Sequence, residues 1–216
     1  MEESAARFSP LGSGLSNLPA LDRGGALGTP SRRPLPRCSK KNGREEEPSA
    51  IIIDSQSVKA DAWAEDTGYD AGKKIKGVKR HVVVDVLGLL IGIVVHAANL
   101  QDRDGAKILV LRVKDRLPRV KLVWADGGYR GELVQWFKDE AGWTLEIVKR
   151  DADLSTFKVL PKRWIVERTF GWLMMWRILN RHHERKHDTA ENIMRIAMTR
   201  NMLRYLTRND KAVKVA

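Results

Sequence analysis

Cysteine is almost absent from this chain of 216 residues. Cys38 stands alone, so neither an intrachain disulfide nor a cysteine-based zinc site can form, and a reducing compartment fits. No apolar run approaches the roughly 18 residues a bilayer-spanning helix needs, and the N-terminus lacks a basic stretch followed by an apolar core. A spanning helix and a secretory signal are thereby excluded as expectations. Strand one is followed by Asp54-Ser-Gln-Ser-Val58 rather than a glycine-rich turn, which argues against a doubly wound nucleotide-binding fold. Acids are outnumbered, 27 against 39 Lys and Arg, for a net charge of +12 and a pI near 10. Such a chain expects a polyanionic partner, most simply nucleic acid. The excess is uneven, because residues 161–216 hold 13 basic and 5 acidic residues and supply +8 of the total.

Proline is scarce after residue 50, and six of the eight lie before it. Gly, Pro and Ser fill 19 of the first 50 positions with no apolar periodicity, so residues 1–48 are expected to be a disordered leader. A single domain should follow over 49–210, with 211–216 as a tail. Ile51-Ile-Ile53 predicts a central strand buried on both faces. Residues 57–80 read as a polar loop. His81–Asp85 and Leu89–Val95 predict an antiparallel hairpin. A helix then runs from Asp102 to about Leu117, where Pro118 ends it, with Asp102 and Asp104 as candidate caps. Strands at 120–125 and 144–148 flank a helix over 131–140. Two helices close the chain. The first opens at Pro161 and buries Ile165, Val166, Thr169 and Leu173. The second is capped by Asp188 with Glu191 three residues on. Its stripe of Met194, Met198 and Met202 predicts core, and its stripe of Arg200, Arg204 and Arg208 a solvated face. Together these elements imply a mixed five-stranded sheet flanked by helices.

Three carboxylates stand out by position: Asp54 ending strand one, Asp126 before a Gly-Gly turn, and Glu167 on a basic, aromatic helix. Glu167 has a plainer reading, an ion pair with Arg163 four residues back, worth a few tenths of a kcal/mol. Three acids converging without cations repel one another and so commonly hold metal. Oxygen donors, with no cysteine and no suitably spaced histidine pair, select Mg²⁺ or Mn²⁺. Two such ions act on phosphodiesters. Asp85 reads as hairpin geometry, and His81 and His96 as core or surface residues. Trp164 and Trp172 read as core.

Ile52-Ile-Asp54-Ser-Gln-Ser-Val-Lys59, Gly68-Tyr-Asp-Ala-Gly-Lys73, Lys79-Arg-His81, Asp85-Val-Leu-Gly88, Gln101-Asp-Arg-Asp-Gly-Ala106, Trp124-Ala-Asp126-Gly-Gly-Tyr129 and Arg163-Trp-Ile-Val-Glu167-Arg-Thr-Phe170 occur in this order. Together they resemble bacterial insertion-sequence transposases of the DDE superfamily, closest to the insertion-sequence-five family, over about 44–208. The resemblance implies an RNase H-like fold, with Asp54, Asp126 and Glu167 as catalytic metal ligands and two Mg²⁺ or Mn²⁺ ions as cofactors. Asp54 would bridge both ions, and Asp126 and Glu167 would each hold one. The implied reaction nicks DNA at the element ends and joins the freed 3′-OH to target DNA. DNA is therefore the implied partner, with room for a homo-oligomer assembled on it, in a bacterial cytoplasm at the nucleoid and away from any membrane. Lys73, Lys74, Lys76, Lys79, Arg80, Arg163, Arg168, Arg177 and Arg181 are the candidate DNA contacts.

The match departs from its family in two places. Relatives carry a Tyr and a basic residue where this chain has Leu160 and Met174, which leaves Arg177 or Arg181 as the substitute cation. Residues 1–43 do not resemble the helical end-recognition domain of full-length relatives. The chain is thus expected to be a truncated copy that binds DNA and Mg²⁺ but transposes poorly. The alternatives are a non-catalytic DNA-binding remnant and an RNase H-like nuclease acting on RNA–DNA hybrids.

Overall fold

A computed structural model of the protein describes residues 34–148 and 162–208. Strand β1 (Ala50–Lys59) is the axis of the sheet. On one side it pairs antiparallel with β3 (Ile75–Asp85), from Ile51↔Asp85 to Lys59↔Gly77. On the other it pairs parallel with β5 (Leu122–Ala125), which pairs parallel with β6 (Thr144–Ile147). The far edge of β3 is shared by two antiparallel partners: β4 (Leu90–Ala97), and the short β2 (Gly68–Asp70) beyond it. Three long antiparallel strands continued by two strands parallel to the first make the RNase H-like arrangement.

Alternation along the strands separates two cores. Ile52, Val82, Val84, Ile93, Val95 and Trp124 face α4 (Arg163–Met174) and α5 (His187–Thr207), meeting Ile165, Val166, Phe170, Met194 and Met198. Ile51, Ile53, Val83, Val94, Val123 and Ala125 face α2 (Asp102–Val113) and α3 (Leu133–Ala141), meeting Leu109, Val110, Val113, Leu133 and Phe137. Both faces are covered, which is why the strands read as continuous β-branched runs. The β3–β4 hairpin is held from within: Asp85 Oδ1 accepts the amides of Leu87 (2.9 Å) and Leu89 (2.8 Å). Gly88, at φ +78°, lies so close to α4 that a Cβ would meet Thr169 Oγ1 at 2.9 Å.

Three expectations need correction. About half of the polar loop at 57–80 is strand: Val58 and Val78 bury and lengthen β1 and β3, and Gly68–Asp70 adds β2, giving six strands instead of five. Its lysines and Arg80 hid the pattern, since two of those cations are themselves buried. The leader is ordered at its end: α1 (Pro34–Lys41) packs on α5 with Cys38 fully buried. Pro34 and Pro36 sit in the first turn, where a missing N–H costs no helical hydrogen bond. Residues 1–33, Pro161 and the 211–216 tail lie outside the described residues. The caps also differ. Asp102 makes no capping hydrogen bond, and α5 opens on His187 after Lys186 with no side-chain cap. Glu191 is turned inward instead.

Candidate active site

Asp54 and Asp126 meet because of sheet register. β1 and β5 are parallel with Ile52 opposite Trp124, the last pair of the ladder; continued two residues past it, that register brings Asp54 beside Asp126, whose charge acts on it. Neighbouring strands run about 4.8 Å apart. The period of two points both carboxylates to the face of Ile52 and Trp124, the face that α4 covers. Asp54 Oδ1 accepts the amide of Ser55 at 2.7 Å. Asp126 Oδ1 accepts the amide of Gly128 at 2.8 Å and so caps a single 3₁₀ turn over Gly127–Tyr129. Burial pushes the Asp54 carboxyl up to about 7, and Asp126 adds to the rise; the Ser55 amide, Arg163 and Lys73 oppose it. A half-buried carboxyl beside a second carboxylate is thus short of positive charge.

The start of α4 is pinned over this pair. Lys162 takes the left-handed conformation (φ +74°) and sets its ammonium 3.8 Å above the Trp124 ring. One residue on, Arg163 lies 3.1 Å from Glu167 Oε1, at ion-pair distance but outside hydrogen-bond geometry. Arg163 also acts on Asp54, so this guanidinium links the aspartate pair to the glutamate. Among the described residues no three Asp, Glu, His or Cys groups stand close enough to hold a metal ion. Two of the three expected acids are brought together. The third, half-exposed, is engaged by an arginine one helical turn back.

Behind the pair lies a polar network that the sequence reading missed. Ser55 Oγ donates to Asp102 Oδ1 (2.9 Å), which also faces Lys79 Nζ (3.0 Å). Lys79 donates further to Leu100 O (2.8 Å) and lies 3.7 Å from Asp70, which accepts from Ser57 Oγ. His96 and His81 stack and share a hydrogen bond of 2.9 Å, and burial holds them down to about 4 and about 3. Tyr129 is buried against Asp54, Asp102 and Asp126, and its phenol is pushed well above the usual range by burial and by those carboxylates. The one signal available was spacing: Asp102 two residues before Asp104 mimics a helix cap.

The candidate DNA contacts divide. Lys73 and Lys74 are exposed on the β2–β3 turn and Lys76 at the start of β3, and Lys73 is near enough to act on Asp54. Lys79 and Arg80 are removed from the list, because both are buried and used internally. Arg80 donates to Leu179 O (2.6 Å) and Arg181 O (3.0 Å), fastening the segment after α4 to β3. Its guanidinium is lowered to about 10 by burial. Arg181 is exposed but paired with Asp61 at 3.1 Å. Arg168 is half-buried and donates to Leu87 O, and Arg177 is exposed. Trp164 is exposed instead of core, whereas Trp172 is half-buried and packs against the α4–α5 core, with Arg168 stacked between the two rings.

An RNase H-like domain with one aspartate midway along the central strand β1 and a second just past the end of its parallel neighbour β5 defines the class of protein. The family model described as Transposase DDE domain matches residues 45–202, and the chain belongs to that family. A putative transposase for insertion sequence element IS402 from Burkholderia cepacia is 29% identical over 119 residues, 52% of this chain and 56% of the relative. The chain therefore spans about half the length of that curated relative. Among solved structures, the catalytic domain of Mos1 mariner transposase is similar at 9% identity and TM-score 0.43, over 82% of this chain and 88% of its own. The catalytic core domain of BIV integrase is similar at 13% and 0.37, over 69% and 80%. At such TM-scores these two likenesses carry no weight for the chemistry. Among the described residues no helix is long and apolar enough to cross a membrane.

Proposed function

We propose that this chain is the catalytic domain of a DDE transposase, nicking DNA at element ends and joining the 3′-OH to target DNA. The observation that carries the reading is the Asp54–Asp126 pair, with Asp54 pushed up to about 7 by burial and by the second carboxylate, more than Arg163 and Lys73 offset. Enclosed oxygen donors short of positive charge fit a hard divalent ion, Mg²⁺ or Mn²⁺. Asp54, Asp126 and Glu167 are the residues that would hold two such ions, with Glu167 released from Arg163. The chemistry those ions supply is activation of a water or sugar hydroxyl and stabilisation of the leaving oxygen. The chain's own residues do the rest. β1 and β5 fix the aspartates in one orientation, the Ser55–Asp102–Lys79 network ties down β1 next to Asp54, and exposed Lys73, Lys74 and Lys76 offer charge to the phosphate backbone.

The Arg163–Glu167 pair favours a second reading, a DNA-binding protein without catalysis. Nicking of a terminal-repeat duplex in Mg²⁺ or Mn²⁺ separates the two. Asp54→Asn, Asp126→Asn and Glu167→Gln should each lose roughly 10³-fold or more of the wild-type rate, as members of a cooperative catalytic set do. Equal, metal-independent behaviour of wild type and variants would leave only the binding protein.

A further inference from the structure

A groove of about 1340 Å³ runs between α4, α5, the β3–β4 hairpin and the segment after α1. Its walls carry Arg168, Arg177, Arg200, Arg204 and Arg208, and among its described lining residues there is no carboxylate. Arg177, Arg200, Arg204 and Arg208 form no ion pair with any described residue. Like charges gathered without neutralisation repel, so the groove is complementary to a polyanion. Its floor is different in kind. Leu87, Leu89 and Met175 are apolar, Trp172 and Trp176 are half-buried, and Arg168 and Arg200 stack on those two rings at 4.8 and 5.2 Å.

Size and chemistry choose the occupant. The volume exceeds the ~300–1,000 Å³ usual for a small-molecule site. Duplex DNA would offer phosphates to the arginines, but its bases are already stacked and would gain nothing from an apolar, aromatic floor. An unpaired strand uses both, with phosphates on cations and base faces on rings. Position agrees: Glu167 and Arg168 are adjacent, and α4 carries Met175 about 12 Å beyond Glu167 at 1.5 Å per residue. We propose that this groove binds an unpaired DNA strand running from the acidic site along α4. The proposal rests on the reading of the protein as DNA-acting, and goes beyond it in assigning a single-strand site and the α5 arginines.

The test is equilibrium binding by the full chain in EDTA, so that catalysis plays no part. Fluorescent oligo-dT of about 20 nucleotides, longer than one ~4–16-nucleotide platform, is compared with duplex of equal length and with oligo-U. Arg200→Ala with Arg204→Ala should weaken oligo-dT roughly tenfold or more and flatten its log–log salt slope by about 1.4, near 0.7 for each lost phosphate contact. Met175→Glu, at a side chain 81% exposed and so free of folding cost, should weaken oligo-dT in the same direction. Duplex affinity should change by less than about threefold. Equal losses for duplex and oligo-dT, tighter binding of oligo-U than of oligo-dT, or no change at all would each overturn the proposal. Nicking measured on the same preparations keeps the two readings apart. A chain that binds oligo-dT through the groove but never nicks sinks the proposed function alone, and one that nicks without any groove effect sinks the groove alone.

Discussion

Glu191 and Asp54 are both carboxylates drawn into the protein, yet they stand in opposite relations to it. Glu191 is 2% exposed, and both its oxygens are used. They accept from the Val95 amide (3.0 Å), from Arg112 (2.9 and 3.1 Å) and from Arg195 (3.0 Å), tying α5 to edge strand β4 and to α2. One amide of the β4 edge is satisfied in the same stroke. Asp54 has one amide from its own neighbour and a second carboxylate opposite, and Arg163 and Lys73 act on it only from a distance. A buried acid matched from inside the chain builds the fold. An acid left unmatched beside another acid is shaped for something that arrives from outside.

The largest expected effect breaks the matched side. Glu191→Ala strands Arg112 and leaves the Val95 amide bare, and should cost about 3–5 kcal/mol in urea unfolding, as loss of one partner in a buried pair does. Oligo-dT binding by the folded fraction should be unchanged. A loss under about 1 kcal/mol would mean that the clamp holds nothing and that the contrast with Asp54 is empty.

The unmatched side predicts the reverse sign. Asp54 titrates near 7 when folded and near 3.8 when unfolded, so between those values the folded state holds more protons and stability falls as pH rises. The buried histidines, held down to about 3–4, slope the other way, so the wild-type curve alone mixes the two. Asp54→Asn isolates the aspartate. The variant should match wild type near pH 4 and gain on it up to pH 7 and beyond, by at most about 4 kcal/mol from the ~3-unit shift. Mn²⁺ should narrow that gap by supplying the missing charge to wild type only. An unchanged difference from pH 4 to 8 would show Asp54 to be ordinarily solvated.

The sequence made the two sides unequally legible. Asp126 could be found because a strand end and a Gly-Gly turn mark it; Asp54 reads in sequence as a strand end although β1 runs on to Lys59, and only the parallel pairing with β5 stops before it. Helix α4 was legible from its periodicity, as were the methionine stripe and the Asp85 turn. Lys79, Arg80, Asp102 and Glu191 were misread for one shared reason. Each is a charged residue whose partner lies far along the chain, at Asp102, Leu179, Ser55 and Val95, and local pattern assigns such residues to solvent or to caps. Helix α1 was missed because Pro34 and Pro36 resemble a linker until Cys38 is seen against Met202. The basic–aromatic groove was hidden likewise, because its arginines come from two helices that only the fold brings together.

Arg163 gives the smallest effect and the sharpest cut, because among the described residues it is the cation shared by both parts of the acidic site. Its pairing with Glu167 is an i,i+4 contact with the glutamate half-exposed and without hydrogen-bond geometry, so Arg163→Gln should move stability by no more than about 0.5 kcal/mol. What it should change is availability. If Glu167 must leave Arg163 to join the aspartates, the variant removes a competitor for that carboxylate and the Mn²⁺ needed for half-maximal thermal stabilisation should fall about twofold, the equivalent of that same few tenths of a kcal/mol. The gain should vanish when Glu167→Gln is added, since the two substitutions act on one contact. An identical Mn²⁺ requirement in wild type and Arg163→Gln would separate Glu167 from the ligand set. The aspartate pair would then stand as a two-acid site, with Arg163 and Lys73 acting on Asp54 and no carboxylate joining it from α4.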